Sequence, residues 1–229
     1  NKHMLPIEQV SELLEMVAEE KKFSFDEAYA EELYRKYNDS KAVNDTQDVK
    51  ELQTEFAGKK ILLIAPGKNI GMAIEKIKRM IANEDIVTIG LNSTLEVNFN
   101  YLLTTREDIY MQAIVKGKHI IVPSNISKGG RGNVKILNYS NWIEVDEYIY
   151  DSSLVIILNL LMTCKIEEII MAGFDGFSPN INDNYYDPDM RRPVNTDQAN
   201  RRNAYYKNLI QRVRKKGINV EFITPSLYE

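Results

Sequence analysis

The stretch KKILLIAPGKNIGMAIEKIKRMI, residues 59–81, decides how the chain is read. Its apolar run Ile61-Leu62-Leu63-Ile64 lacks the alternation of a strand with one wet face. It stops at Ala65-Pro66-Gly67-Lys68-Asn69, and apolar residues then resume at helical spacing. A strand buried on both faces that hands over directly to a helix opens a parallel sheet covered on both sides. The pattern repeats downstream. Strands are expected at 60–65, 86–91, 99–104, 119–122, 134–138, 167–172 and 219–223, long helices at 69–82, 151–164 and 196–216, and a shorter helix near 106–115. The expected class is α/β: a doubly wound, mostly parallel, Rossmann-like sheet.

Upstream of Gly58 the pattern is helical. Ile7, Val10, Leu13, Leu14 and Val17 share one face, with Pro6 in the first turn. Ser24 caps a second helix, with Glu27 three residues on, and a third spans about 46–56 before Gly58 ends it. Charge divides at the same place. Residues 1–57 hold 7 Lys/Arg against 14 Asp/Glu, and residues 58–229 hold 22 against 19. The expected organisation is a helical connector at 5–57 and an α/β domain at 58–229. The opening Asn-Lys-His-Met reads as an expression scar, so native sequence is expected from Leu5 in a chain cut from something longer.

Composition excludes several classes. The longest apolar run, 154–162, is too short to span a bilayer, and no signal segment opens the chain, so a cytoplasmic protein without membrane association is expected. The single cysteine, Cys164, rules out an internal disulfide and reads as a small buried residue. The basic residues are too dispersed for nucleic acid. His3 falls in the scar and His119 begins an apolar strand, so neither a zinc site nor a serine-hydrolase triad is expected.

Doubly wound sheets bind ligands beyond the carboxyl ends of their strands. That rule nominates loops. After the first strand, Gly67, Lys68 and Asn69 offer a glycine and backbone amides to a phosphate, or form only a tight turn capped by Asn69. After the second, Asn92 and Ser93 stand where a dinucleotide site would want an acid, so Asn92 is a candidate for a base or ribose. The basic loop at 124–133, with Lys128 and Arg131, reads as an exposed connection. Asp151, Ser152 or Ser153 caps a buried helix facing the same crevice. The strand at 167–172 ends in Gly173-Phe174-Asp175-Gly176, which puts Asp175 where an acid meets a sugar hydroxyl or a metal. Beyond it, Tyr185, Tyr186, Asp187, Asp189, Arg191 and Arg192 lie in a polar, aromatic segment suited to a lid.

Two resemblances attach to these residues. LPIEQVSELLEMVAEEKKFSFDEAYAEELYRKYND followed by FAGKKILLIAPGKNI resembles the region after the barrel in bacterial HMG-CoA-lyase-like aldolases, the 4-hydroxy-2-oxovalerate aldolase type. The lyase chemistry of that group needs barrel residues, among them a His-x-His metal pair, which this chain lacks. The resemblance implies a C-terminal domain whose partner is a TIM barrel in the parent chain. ILLIAPGKNI, IVTIGLNST, DSSLVIILNLLMTCKIEEIIMAGFDGFSP and NVEFITPS resemble the nucleotide-binding fold of a bacterial sialyltransferase family and of 6-hydroxymethylpterin diphosphokinase-like proteins. This second likeness implies a nucleotide surrounded by Gly67, Asn69, Asn92, Ser152 or Ser153, Gly173 and Asp175. The first loop departs from the family's Gly-Asn-Gly-Pro-Ser, and DNYYDPD has tyrosines where the sialyltransferases carry a lid histidine.

The function expected is binding of a nucleotide, with magnesium, or of another small phosphorylated ligand, without lyase activity in this segment. One alternative is a glycosyl- or diphosphotransferase with Asp175, Tyr185 or Tyr186 assisting. The other is a degenerate fold serving as a docking or homo-oligomerisation module.

Overall fold

β1 (Lys60–Ile64) is buried along its length after Lys60 and is an interior strand of the sheet. The computed structural model describes residues 38–39, 41–83, 85–127, 132–144, 152–191 and 193–229. The two helices expected before residue 38 lie outside these residues, as do Lys128, Arg131, Asp151 and Arg192.

In chain order, α1 (Thr46–Phe56) precedes β1, and a 3-10 turn (Lys68–Ala73) leads into α2 (Ile74–Ile81). Then follow β2 (Ile86–Leu91), β3 (Tyr101–Leu103), α3 (Glu107–Val115), β4 (Ile120–Pro123), β5 (Val134–Leu137) and the short α4 (Tyr139–Trp142). The chain continues through α5 (Ser153–Leu161), β6 (Glu168–Ala172), two 3-10 turns (Ile181–Asp183 and Pro188–Met190), α6 (Thr196–Lys215) and β7 (Asn219–Phe222). The seven strands form one sheet in the order β5-β4-β3-β2-β1-β6-β7, every pair parallel. The expected α/β class holds, with no antiparallel member among the described strands.

Side chains alternate between two dry faces, which explains strands without a polar period. Ile61, Leu63, Ile89, Leu103, Ile121, Ile169 and Met171 face α1, α5 and α6, and share a core with Leu52, Phe56, Ile157 and Leu209. On the other face, Leu62, Ile64 and Ile170 meet Ile70, Ala73 and Ile77 of the 3-10 turn and α2, while Leu102, Ile120 and Val122 meet Ile109 and Ala113 of α3. α5 is buried at seven of its nine positions, so it is an internal helix rather than an amphipathic cover.

Most element ends fall within two residues of expectation, and the exceptions have local causes. The helix expected at 69–82 starts as a 3-10 turn, because Ile70 and Ala73, three apart, both point into the core and a three-residue period aligns them. The helix expected at 151–164 ends at Leu161, where Cys164 N–H closes a turn on the Leu161 carbonyl. Cys164 lies just past the helix, buried, its thiol pushed up to about 11 by that burial. α4 has no apolar period and was not foreseen; Asn138 starts it by accepting the Ser140 N–H.

α1 does more than precede the sheet. Asp48 Oδ2 accepts the Ile136 N–H at 2.9 Å and Asp45 Oδ2 accepts the Asn138 N–H at 2.8 Å. Two carboxylates thus satisfy the open edge of β5, the exposed row of donors that otherwise invites pairing with another chain.

Candidate functional site

The order in which strands are added switches at β1. From β1 the chain winds outward to β5, then returns to lay β6 on the other side of β1. The connection after β1 runs to α2 on one face and the connection after β6 to α6 on the other, so a crevice opens at the carboxyl ends of the strands. It has a volume of about 530 Å³, in the range of small-molecule sites.

The loops after β1 and β6 are locked to each other. Gly67 N–H donates to the Gly173 carbonyl at 3.0 Å, and Ala65 N–H to the Ala172 carbonyl at 2.9 Å. A Cβ at Gly67 would stand closer than 3.0 Å to the Gly173 carbonyl, and a Cβ at Gly173 closer than 3.0 Å to the Ala65 carbonyl oxygen. Gly173 also has φ +75°, a conformation costly for any other residue type. Both glycines therefore serve backbone-to-backbone contact, where Gly67 was expected to admit a phosphate. The amide seat is taken as well: Asp175 Oδ2 accepts the Asn69 N–H at 2.7 Å. No side chain of the loop itself caps the 3-10 turn, and Asn69 is not its cap; the capping carboxylate comes from the loop after β6. Lys68 points outward into an exposed ion pair with Asp183.

Asn92, expected to touch a base or ribose, is a junction. It has φ 46°, in the left-handed region that asparagine tolerates better than most residues. Its Oδ1 accepts from Thr104 Oγ1 at 2.8 Å and Thr105 N–H at 3.0 Å, and its Nδ2 donates to Thr105 Oγ1 at 3.2 Å and Ser153 Oγ at 3.3 Å. These four bonds tie the ends of β2 and β3 to the first residue of α5. Ser93 is buried and accepts the Leu95 N–H, away from the crevice, and lines a second groove beside α3.

Ser152 is the N-cap of α5: its Oγ accepts the Val155 N–H at 3.3 Å and lies 2.9 Å from the Tyr206 hydroxyl. The first turn of α5 therefore opens into the crevice with the positive end of its dipole. Tyr185 lines the same space. Tyr186 does not; it is 49% exposed, its ring lies over Gly71 and its N–H donates to the Pro66 carbonyl. Asp187 accepts from Thr94 Oγ1 at 3.2 Å, so the segment after Asp175 spans from the β1 loop to the β2 loop.

Gly67, Asn92, Ser152, Ser153, Gly173, Asp175 and Tyr185 thus meet in one crevice, and Lys68, Asn69, Ser93 and Tyr186 do not line it. Among the lining residues that were not foreseen are Arg106, Arg202, Tyr206 and Tyr228. Arg106 holds Asp108 at the start of α3, with Nε 3.0 Å from Oδ1. Arg202 lies 5.3 Å from the centre of the Phe177 ring. Tyr206 packs between Phe177, ring centres 6.2 Å apart, and Tyr228, 5.5 Å away. Arg202 and Tyr206 stand four apart on α6, a spacing that puts an arginine and a tyrosine on one helix face and could have flagged them.

Asp175 is electrostatically unusual. Its Oδ1 is buried without a hydrogen-bond partner. Burial raises its carboxyl above the ordinary aspartate range, opposed by the Asn69 amide and the Lys68 ammonium. A raised folded-state value means that the folded chain binds more protons than the unfolded chain in the window from the ordinary value up to the raised one, so this group's contribution to stability falls as pH rises through it. Asp175→Asn keeps an acceptor for Asn69 and removes the buried charge. Its melting temperature should match or exceed that of the parent at pH 7 and lose this advantage below the ordinary aspartate value, as thermal unfolding across pH would show.

Among the described residues no three His, Cys, Asp or Glu side chains gather closely enough to hold a metal ion, and no helix is long and apolar enough to cross a membrane. His119 is exposed, with its ring edge-on to Tyr101, 6.0 Å between centres. No protein-family model matches the chain, and no curated protein matches its sequence at a significant level.

Proposed function

We propose that the crevice binds a small phosphorylated ligand, with a nucleotide the leading class. The observation that carries this reading is the meeting of Arg106, from the end of β3, and Arg202, from α6, with the open first turn of α5 in one space of about 530 Å³. Two guanidinium groups and a helix start favour an anion, and guanidinium suits phosphate oxygens in particular. The phosphate is assigned to this side of the crevice, because Asp175 already holds the Asn69 amide on the β1 side. Any magnesium would travel on the ligand's own phosphates. The resemblance of the sequence to the segment after the barrel in HMG-CoA-lyase-like aldolases supports a further proposal: the domain serves a parent lyase without performing the cleavage, since the chain has no His-x-His pair.

Calorimetry with CMP, CDP, AMP, ATP and sugar phosphates tests the binding reading. Arg106→Ala and Arg202→Ala should each weaken a phosphorylated ligand about ten- to a hundredfold, the value of a charge-assisted hydrogen bond. The Arg106 ion pair with Asp108 is surface-exposed and adds little stability, so Arg106→Ala should melt close to the parent. Absence of binding at millimolar ligand, or equal affinity in both variants, would remove the reading.

The transferase alternative draws on Asp175 and Tyr185, both of which line the crevice. Tyr186, turned over Gly71, has no place in it.

A further inference from the structure

One flank of α3 is left bare. Parallel strands are usually joined through a helix that covers them, and α2 and α3 do this for β1–β2 and β3–β4. The β4–β5 connection, residues 124–133, holds no helix among its described residues. Tyr110 marks that flank of α3, its hydroxyl bonded to Ser127 Oγ at 3.0 Å. One turn on stands Ile114, 42% exposed; Met111, at 55%, lies three positions before it and four before Val115, at 85%, so the three adjoin. The opposite flank is different: Gln112 and Lys116 line the second groove there.

We propose that this bare flank is the docking surface for the chain's own stretch at 5–20, whose Ile7, Val10, Leu14 and Val17 share one face at helical spacing. The stretch lies outside the described residues, and its assignment to α3 is independent of what the crevice binds.

Three observations support it. The first is where the described chain enters. Val43 packs with Ile126 and Val134 against the core that α3 shares with β3, β4 and β5, and the Lys41 and Val43 carbonyls accept from Asn138 Nδ2. The chain upstream of residue 38 therefore departs from the same flank. The second is reach. At 1.5 Å per helical residue the stretches at 24–37 and 5–20 span about 21 and 24 Å, so one can lead away and the other return along α3, itself about 14 Å long. The third is charge. Residues 5–20 hold Glu8, Glu12, Glu15, Glu19 and Glu20 but no Lys or Arg. Lys116 and Lys118 follow α3 without an acidic partner among the described residues, and the 124–133 connection contains Lys128 and Arg131 but no acid. Opposite charge around an apolar contact fixes its partner and register, and the stretch at 24–37, with Arg35 and Lys36, matches this flank less well.

Methionine oxidation of the whole chain by dilute hydrogen peroxide, followed peptide by peptide in a mass spectrometer, decides it. Met111 is the probe, and Met72, 78% exposed on the 3-10 turn, is the reference for an open sulfur. With the stretch seated, Met111 should oxidise at least about fivefold more slowly than Met72, since oxidation follows exposure. Val10→Asp/Leu14→Asp should bring the two rates to within about twofold, whereas Gln9→Asp/Met16→Asp, on the opposite face of the stretch, should leave Met111 slow. Should the first pair prevent folding, Val10→Ser/Leu14→Ser carries the same expectation. Equal rates for Met111 and Met72 in the parent overturn the inference, as does a Met111 that stays slow when the apolar face of the stretch is made polar. Slow oxidation that is lost on dilution, beside a dimer in light scattering, gives the flank to a second copy and overturns the assignment as well.

Discussion

Gly173→Ala should be among the most destabilising single-methyl changes in the chain, lowering stability by about 3–5 kcal/mol. Two costs add there. The backbone stands at φ +75°, and the new methyl would press on the Ala65 carbonyl oxygen closer than 3.0 Å, against a loop that is itself bonded back through Gly67. Neither contact can yield without parting β1 from β6. For a chain of this size the melting temperature should fall by roughly 6–20 °C. Gly117→Ala is the control: its φ is +62°, yet no atom lies within 4 Å of the added methyl, so it should cost only about 1–2 kcal/mol. Equal losses in the two variants would mean that conformation, not the contact between loops, governs Gly173.

The second large effect belongs to Asn92. Asn92→Ala removes all four side-chain bonds, takes this partner from the Thr105 N–H and from three hydroxyls, and puts alanine at φ 46°. A loss of about 3–4 kcal/mol is expected, seen as a fall of roughly 6–16 °C in thermal unfolding. Asn92→Gly should recover about 1 kcal/mol of it, the conformational share. Ligand affinity should drop in both variants, because the start of α5 is no longer held against the ends of β2 and β3. A variant that melts like the parent would show that the junction is redundant.

These two residues also mark what could be read from sequence. The runs at 60–64, 86–91 and 168–172 declared themselves because a strand dry on both faces carries no polar period, and the loops that follow were nominated by position alone. Their roles were not legible. Asn92 meets Thr105 and Ser153, 13 and 61 residues away, and no local pattern says that an amide will be fully satisfied by them. Asp175 meets Asn69 across 106 residues, so the filling of the amide seat depends on β6 lying beside β1. Arg106 and Arg202 share the crevice for the same reason, the strand order, which hydrophobic periodicity does not encode. α1 was read as part of a connector from its helical spacing and acidic charge, while its burial of Leu52 and Phe56 in the sheet core depends on which face the strands leave uncovered.

The pairing of β1 with β6 has a consequence for synthesis. Lys60 and Glu168 are register partners 108 residues apart, so at a ribosomal rate of about 5–20 residues per second, β1 waits roughly 5–20 s for its second neighbour. During that interval β2 can pair with one side of β1 while its other side, ending at Ala65 and Gly67, has no lawful mate. Non-local parallel pairing of this kind is slow to form and leaves an edge that other nascent chains can capture. The clasp between Gly67 and Gly173 is therefore among the last contacts available to the growing chain, and a crevice able to hold a ligand exists only once the sheet has closed around its oldest strand.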